Sequence, residues 1–325
     1  MRKNMKREKN MNRKHGMLSV VIPAYNEEAN IRPAASTVSE ILKDAGIPFE
    51  IIFVNDGSKD GTWDEICSIT DDFPEVTGVD FSRNFGKEAA ILAGLSSVSG
   101  DCTAVMDCDL QHPPQTLPAM YEKWLEGYDV IEGVKSDRGR ESLKYKMSAK
   151  LFYRVMSKST GIDMTRASDF KLLDRKAVRS ILELPERSMF FRALSSWVGY
   201  KTATVEFQVM ERLQGETKWS TFSLIKYAMS NIISFTSAPM QIVTGLGIFT
   251  LIAAIVIGIQ TLVKFCTGTA VEGFTTMIIL LLFVGSIIMI CMGISGIYIA
   301  KIYEEVKGRP RYIIAGTVRG DSDDR

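Results

Sequence analysis

Thr103-Ala104-Val105-Met106-Asp107-Cys108-Asp109-Leu110-Gln111-His112-Pro113-Pro114 decides how this chain is read. An apolar run, Thr103 to Met106, leads into two carboxylates, an amide and an imidazole, and two prolines close the stretch. It reads as a buried strand that stops abruptly in polar residues. Asp107 and Asp109 are two apart, so on an extended backbone they point the same way. Side-by-side carboxylates repel unless a cation lies between them. Hard oxygen donors suit Mg²⁺ or Mn²⁺ better than zinc. A solvated turn leading into a helix N-cap is the plainer alternative, and Asp-x-Asp alone leaves it open. A zinc site from Cys102, Cys108 and His112 lacks a fourth ligand at the usual spacing.

Upstream, Leu18 to Ile22 reads as a first buried strand, stopped by Pro23 and followed by Ala24-Tyr25-Asn26-Glu27-Glu28. The pattern then predicts a helix over 30–45 and a strand over 49–54 that ends in Asn55-Asp56-Gly57-Ser58. Helix from Asp60-Gly61-Thr62, strand 76–81 and helix 87–98 come next. Downstream of the opening stretch it predicts helix 115–126 and strand 130–134. Short, continuously apolar strands alternating with helices mean an α/β fold with a mostly parallel sheet covered on both faces. Ligands in such sheets bind at the carboxyl ends of the strands. Three polar clusters sit at that edge: Pro23 to Glu27, Asn55 to Ser58, and Asp107 to His112.

Val20-Val21-Ile22-Pro23-Ala24-Tyr25-Asn26-Glu27-Glu28, Val54-Asn55-Asp56-Gly57-Ser58-Lys59-Asp60-Gly61-Thr62 and Asp107 to Pro114 closely resemble family-2 glycosyltransferases. Within that family they look like the polyprenyl-phosphate glycosyltransferases, such as bactoprenol glucosyltransferases and relatives of dolichol-phosphate mannose synthase. The resemblance covers the chain from Leu18 to its second apolar window and implies a GT-A, Rossmann-like catalytic domain. It implies that Pro23, Tyr25 and Glu27 line the base and ribose pocket, with Val54 and Asp56 beside them. Asp56 would accept from the base and Glu27 from the ribose. Asp107 would approach ribose and metal, and Asp109 and Gln111 would coordinate a Mg²⁺ or Mn²⁺ ion bridging the diphosphate. Cys108 fills a position that is usually small.

Leu143, Met147, Leu151 and Val155 recur every four residues among lysines and arginines, so 141–160 is a basic amphipathic helix. It suits a membrane interface, or else packs on the sheet with its basic face in water. Asp169 is similar to the family's acidic residue near the acceptor and counts, with Asp109, as catalytic. Lys135 and Arg138 are the candidates for the acceptor phosphate. Asp174 reads as a helix cap, 175–184 as a structural helix and 205–209 as an edge strand. Arg212 and Lys218 flank Gly215 and resemble the family's mobile diphosphate-binding loop. An exposed basic loop is the alternative.

The 325 residues are 46% hydrophobic and 24% charged, unevenly mixed. Charge vanishes in two windows, 242–263 and 274–300, each long enough to cross roughly 30 Å of hydrocarbon as a helix. Lys301, Lys307, Arg309 and Arg311 follow the second window. Basic flanks on both sides predict a two-helix transmembrane hairpin in the plasma (inner) membrane with both termini cytoplasmic. The expected organisation is a basic disordered tail (1–16), a GT-A domain (17–220), a juxtamembrane amphipathic helix (221–238), two transmembrane helices (239–300) and a cytoplasmic tail (301–325), disordered from Gly316. The basic tail is either a solubilising extension or a loose contact with anionic lipid. Gly285, Ser286, Gly293, Ser295 and Gly296 let helices pack closely, which fits a homo-oligomer.

Five cysteines without a disulfide spacing fit a reducing compartment. A net charge of +1 gives no basis for a nucleic-acid partner. The implied reaction is inverting transfer of one sugar from a UDP-sugar to undecaprenyl (polyprenyl) phosphate. Glucose is favoured, with N-acetylglucosamine, galactose, GDP-mannose as donor, and aminoarabinose open. A processive polysaccharide synthase of the same family would show Gln-x-x-Arg-Trp and more spans, whereas Lys218 precedes Trp219 here. A non-catalytic nucleotide-sugar scaffold would show a degraded metal motif, and Asp107, Asp109 and Gln111 are intact.

Overall fold

Consecutive strand residues are apolar and face opposite sides, which forces helices onto both faces of one sheet. The computed structural model describes residue 13 and residues 15–135, 168–185, 191–208, 238–267 and 273–320. They fall into two units. In the larger, β1 (Leu18–Ala24), β2 (Phe49–Asn55), β3 (Val76–Phe81), β4 (Cys102–Val105), β5 (Val130–Lys135), β6 (Lys171–Asp174), β7 (Thr202–Phe207) and β8 (Ile314–Arg319) form one sheet. Its spatial order is β7-β5-β6-β4-β1-β2-β3-β8. Strands β4, β1, β2 and β3 are parallel neighbours, β5 and β7 are parallel, and β6 and β8 are antiparallel to theirs.

One face carries α1 (Glu28–Asp44), α2 (Thr62–Asp72) and α4 (Leu117–Leu125). Their Ile31, Val38, Leu42, Ile69, Leu117 and Trp124 pack on Val20, Ile22, Phe53 and Ala104. The other face carries α3 (Lys87–Ser97), α5 (Arg175–Leu182) and α6 (Phe191–Trp197). Their Ala90, Ile91, Val178 and Phe191 pack on Val21, Ile52, Val79 and Val105. Helix α3 lies so close that a Cβ on Gly94 would stand 2.2 Å from Val21 Cγ1. Asp174 caps α5 by accepting from Lys176 N at 3.0 Å, as its sequence position predicts.

Both ends of this unit depart from the reading as tails. Arg13 donates to Trp124 O at 3.0 Å, pairs with Asp129 and lies 3.1 Å from Asp174 Oδ2. Residues 314–319, expected as tail from Gly316 onward, are β8, hydrogen-bonded along β3. Alternating residues of β8 are half-buried, and Val318 packs on the core. A short edge strand whose only apolar run is Ile314-Ala315 carries little pattern on its own.

The second unit holds α7 (Ala238–Cys266) and α8 (Phe274–Val306). At 1.5 Å per residue they are roughly 43 and 50 Å long. Phe249, Leu251, Ile259, Leu281, Met289 and Ile299 are exposed, so these helices present apolar surface outward. By length and composition one stretch, Phe283–Val306 with mean hydropathy 2.1, is fit to cross a membrane, and the apolar stretch of α7, Val243–Ile257, is shorter. The described residues therefore yield one such candidate where the sequence predicts two. The amphipathic segments expected at 141–160 and 221–237 lie outside the described residues.

Candidate active site

Four loops meet at the carboxyl edge of the parallel strands. The loops after β1 and β2 are stitched together. Asn26 adopts a left-handed φ of 54°, a conformation asparagine tolerates better than most residues. It donates its N–H to Ser58 Oγ at 2.9 Å and accepts from Lys59 N through Oδ1 at 2.9 Å. Glu27 N donates to Thr62 Oγ1 at 2.9 Å, and Asn30 Nδ2 donates to the Glu27 carboxylate at 2.5 Å.

Asp56 is buried at the end of β2, and its carboxylate accepts from Phe85 N at 2.7 Å and Gly86 N at 3.0 Å. Burial pushes its pKa up while these amides oppose the shift. Gly57 has φ +61°, and a Cβ there would lie 2.3 Å from the Arg83 carbonyl carbon. Only glycine lets loop 82–86 approach this closely.

The loop after β4 carries Asp107, Asp109 and Gln111. Gln111 N donates to Asp109 Oδ1 at 3.1 Å, and the intervening Leu110 has φ 55°. A non-glycine residue held there marks a loop whose shape is imposed by its surroundings. His112 stacks on Phe170, centroids 5.1 Å apart and planes at 9°, and its Nδ1 accepts from Asp107 N at 3.3 Å. Burial lowers its pKa, so it props the loop as a neutral ring.

Asp169 stands two residues before β6. Because β6 runs against β4, its beginning lies at the edge where β4 ends. Arg192, the second residue of α6, grips Asp169 bidentately through Nε at 2.6 Å and Nη2 at 2.9 Å. Lys87 Nζ bridges Asp169 Oδ2 at 2.8 Å and Asp107 Oδ1 at 2.5 Å. A lysine as first residue of a helix opposes the helix dipole, so its place there is set by these two carboxylates. Burial alone would raise the pKa of Asp169, but Lys87 and Arg192 outweigh it and hold it far below the usual carboxylate range. Burial would likewise lower Lys87, and Asp107 and Asp169 hold it raised.

Lys171 is fully buried on β6. Its Nζ lies 2.6 Å from Glu132 Oε1 on β5 and 2.7 Å from Ser195 Oγ on α6. It fastens the helix that carries Arg192 to the sheet.

Glu88, next to Lys87, is pushed up to about 7 by burial and then by the Asp169 charge, against the N–H that Phe191 donates to it at 2.8 Å. The folded chain holds this proton more tightly than the ordinary value of 4.5 implies. Its stabilising contribution is therefore complete below pH 4.5 and lost as pH rises through about 7. The melting temperature should fall between about pH 5 and about pH 8, and Glu88→Gln should flatten the fall. Equal slopes for both proteins would refute it.

Two carboxylates and an amide within five residues are hard donors, and Mg²⁺ completes such sets with substrate phosphates and water. The residues thus fit Mg²⁺ or Mn²⁺. Among the described residues no group of three or more His, Cys, Asp or Glu is placed to hold a metal ion, so the fit is one of donor chemistry.

The model of the family described as glycosyl transferase family 2 matches residues 19–182. The chain belongs to glycosyl transferase family 2. It is a glycosyltransferase with a GT-A-like α/β fold. The SfII prophage-derived bactoprenol glucosyl transferase of Shigella flexneri is 38% identical over 94% of this chain and 99% of that protein. A prophage bactoprenol glucosyl transferase homolog of Escherichia coli is 37% identical over 91% of this chain and 98% of that protein. Among solved structures, glucosyl-3-phosphoglycerate synthase from Mycobacterium tuberculosis, in complex with Mn²⁺, UDP and glucosyl-3-phosphoglycerate, aligns with a TM-score of 0.48. It is 20% identical and covers 68% of this chain and 80% of that one.

Of the residues the family resemblance singles out, Glu27, Asp56, Asp107, Asp109, Gln111 and Asp169 share one edge of the sheet. Tyr25, 42% exposed, stands on its rim, and Pro23 pairs in register with Val54. Two residues assigned to the nucleotide-sugar pocket turn their side chains into the core. The Val54 side chain is fully buried against the α3 layer, so that position offers a ligand only its backbone. Cys108 packs into the core on the α1 side, where burial pushes its thiol pKa well up. Lys135 is exposed at the end of β5. Arg138, Arg212 and Lys218 lie outside the described residues. Sequence reasoning missed Lys87, Glu88 and Arg192. Ser82-Arg83-Asn84-Phe85-Gly86-Lys87, directly after β3, was the available signal: a fourth polar cluster at the same edge.

Proposed function

We propose that this glycosyltransferase moves one glucose from UDP-glucose to a polyprenyl phosphate, with inversion, at the cytoplasmic face of a membrane. The observation that carries the reading is Asp169, an acid at the reaction edge clamped by Arg192 and Lys87. A carboxylate held so far down takes no proton at neutral pH. It suits an acceptor that arrives already ionised. A phosphate monoester, with a second pKa of about 6, is such an acceptor. Asp169 then orients cationic side chains toward that phosphate rather than abstracting a proton.

Glu27 and Asp56 would hold ribose and base. Asp109 and Gln111, with Asp107 beside them, would hold Mg²⁺ or Mn²⁺, which neutralises charge on a departing diphosphate. Arg212 and Lys218 are the further candidates for binding the same phosphates. Relatives named bactoprenol glucosyl transferase at 36–38% identity support glucose and the lipid acceptor. The outward apolar surface of α7 and α8 supports a membrane hairpin that keeps such an acceptor at hand.

Purified full-length protein, radiolabelled UDP-sugars and undecaprenyl phosphate test this. Label from UDP-glucose should enter butanol-extractable lipid, disappear with excess EDTA, and give a β anomer by NMR. An α-linked product would reject single displacement, and no labelled lipid would reject the acceptor. Glu88, with a pKa of about 7, favours a second reading in which a hydroxyl acceptor gives up its proton. Glu88→Gln abolishing transfer to hydroxyl acceptors, with no transfer to lipid phosphate, would establish that one instead.

A further inference from the structure

The chain leaves α8 at Val306 and by Ile314 is hydrogen-bonded to β3 as β8. Between those points it touches the loop that holds Asp56. Ser82 N donates to Ile313 O at 3.0 Å. The Tyr312 ring stacks on Phe81, centroids 5.1 Å apart and planes at 10°. Phe81 in turn meets Phe85 edge-on at 5.7 Å, and the Arg83 guanidinium sits over the Phe85 ring at 4.3 Å. The Tyr312 hydroxyl reaches Ser96 Oγ on α3 at 3.4 Å, and Arg311 Nη2 donates to Leu184 O at 2.6 Å. Loop 82–86 is thus fixed from outside by this segment, and from inside by the Asp56 carboxylate and by Gly57.

We propose that the segment after α8, through Tyr312, braces loop 82–86 and so sets the shape of the nucleotide pocket around Asp56. Tyr312 is a positioning residue for donor binding. The proposal rests on the reading of Asp56 as part of the donor site. Without the stacked ring, the Phe81–Phe85 pair loses its outer cover and the loop samples more conformations. Asp56 then loses the Phe85 and Gly86 amides part of the time. Ordering the loop becomes part of the cost of binding, which weakens affinity without altering the bound geometry. Effects should therefore appear in donor affinity and KM, and leave kcat at saturating donor in place.

The test uses the full chain in detergent. UDP affinity is measured by calorimetry, and hydrogen exchange is followed at the Phe85 and Gly86 amides. Tyr312→Ala should weaken UDP about five- to tenfold and speed exchange at both amides. Tyr312→Phe should restore both, since it keeps the stack. Tyr312→Leu, which removes the stacked ring but fills part of its space, should shift both readouts the same way by less, and replaces the alanine variant if that fails to fold. Val318→Ala is the control: Val318 faces Gly78 near the far end of β8, so it loosens the strand away from the loop. It should leave affinity and those two amides as in the unaltered protein.

Unchanged exchange in Tyr312→Ala overturns the brace. Faster exchange with unaltered UDP affinity overturns its role in donor binding. Equal losses in Val318→Ala reduce the effect to general strand stability and overturn it too. If the unaltered protein binds no UDP, the donor reading itself falls, while exchange still reports on the mechanical link.

Discussion

Asp109→Ala should lower sugar transfer by about 10³-fold while leaving the melting temperature nearly in place. Removing one preorganised group that stabilises developing charge costs about 10²–10³ in turnover. Asp109 is half-buried and serves the proposed diphosphate site. It lies beyond the end of β4, and the hydrogen bond it accepts from Gln111 N is local to the loop. In a loop outside the sheet, it contributes little to the packed core. Asp107 differs, because Lys87 depends on it. The checks are Mn²⁺ binding by electron paramagnetic resonance, transfer from UDP-glucose and a thermal melt. Undiminished transfer, or a collapse of the melt, would remove Asp109 from the proposed role.

Lys171→Met should have the largest effect on stability. The ammonium is fully buried against Glu132, Ser195 and the Arg192 carbonyl oxygen. Breaking such a pair leaves the Glu132 carboxylate without its ammonium, held by Ser196 Oγ at 3.1 Å, and loss of one partner of a buried pair costs about 3–5 kcal/mol. Exchanging both partners for apolar groups is often close to neutral. Lys171→Met with Glu132→Leu should therefore recover much of what the single change loses, as measured by urea unfolding. Transfer by the single variant should fall as well, since α6 holds Arg192 against Asp169. A single variant as stable as the parent would show that Glu132 finds solvent once Lys171 is gone.

The parts legible in the sequence were those with a local cause. Strand β3 matches its predicted bounds because Val76, Thr77, Val79 and Phe81 favour a strand between turn residues, even with Gly78 and Asp80 among them. Asp174 announces its cap because a capping side chain bonds two residues ahead. The Asp107–His112 loop is legible because its chemistry lies within six consecutive residues.

The rest depends on partners far apart in the chain. Lys87 meets Asp169 across 82 positions, and Lys171 meets Glu132 across 39. A lysine opening a helix and a lysine in a strand both look like solvated charge until the strand order is known. Strand β8 was hidden for the same reason: its partner β3 lies more than 230 residues earlier, and register along an edge leaves no periodic trace. Val54 and Cys108 show the converse: inside a recognised motif, their side chains pack into the core and support the loop from behind.

The reversed sense of β6 has one more consequence. Strand β5 ends at Lys135 on the same rim where Asp169 introduces β6, so the intervening chain both departs and re-enters beside the carboxylates. That connection can lengthen, shorten or change character without shifting any rung of the ladder. If the acceptor binds at this rim, as proposed, selectivity for what receives the sugar can diverge among kindred proteins while the donor half stays as it is.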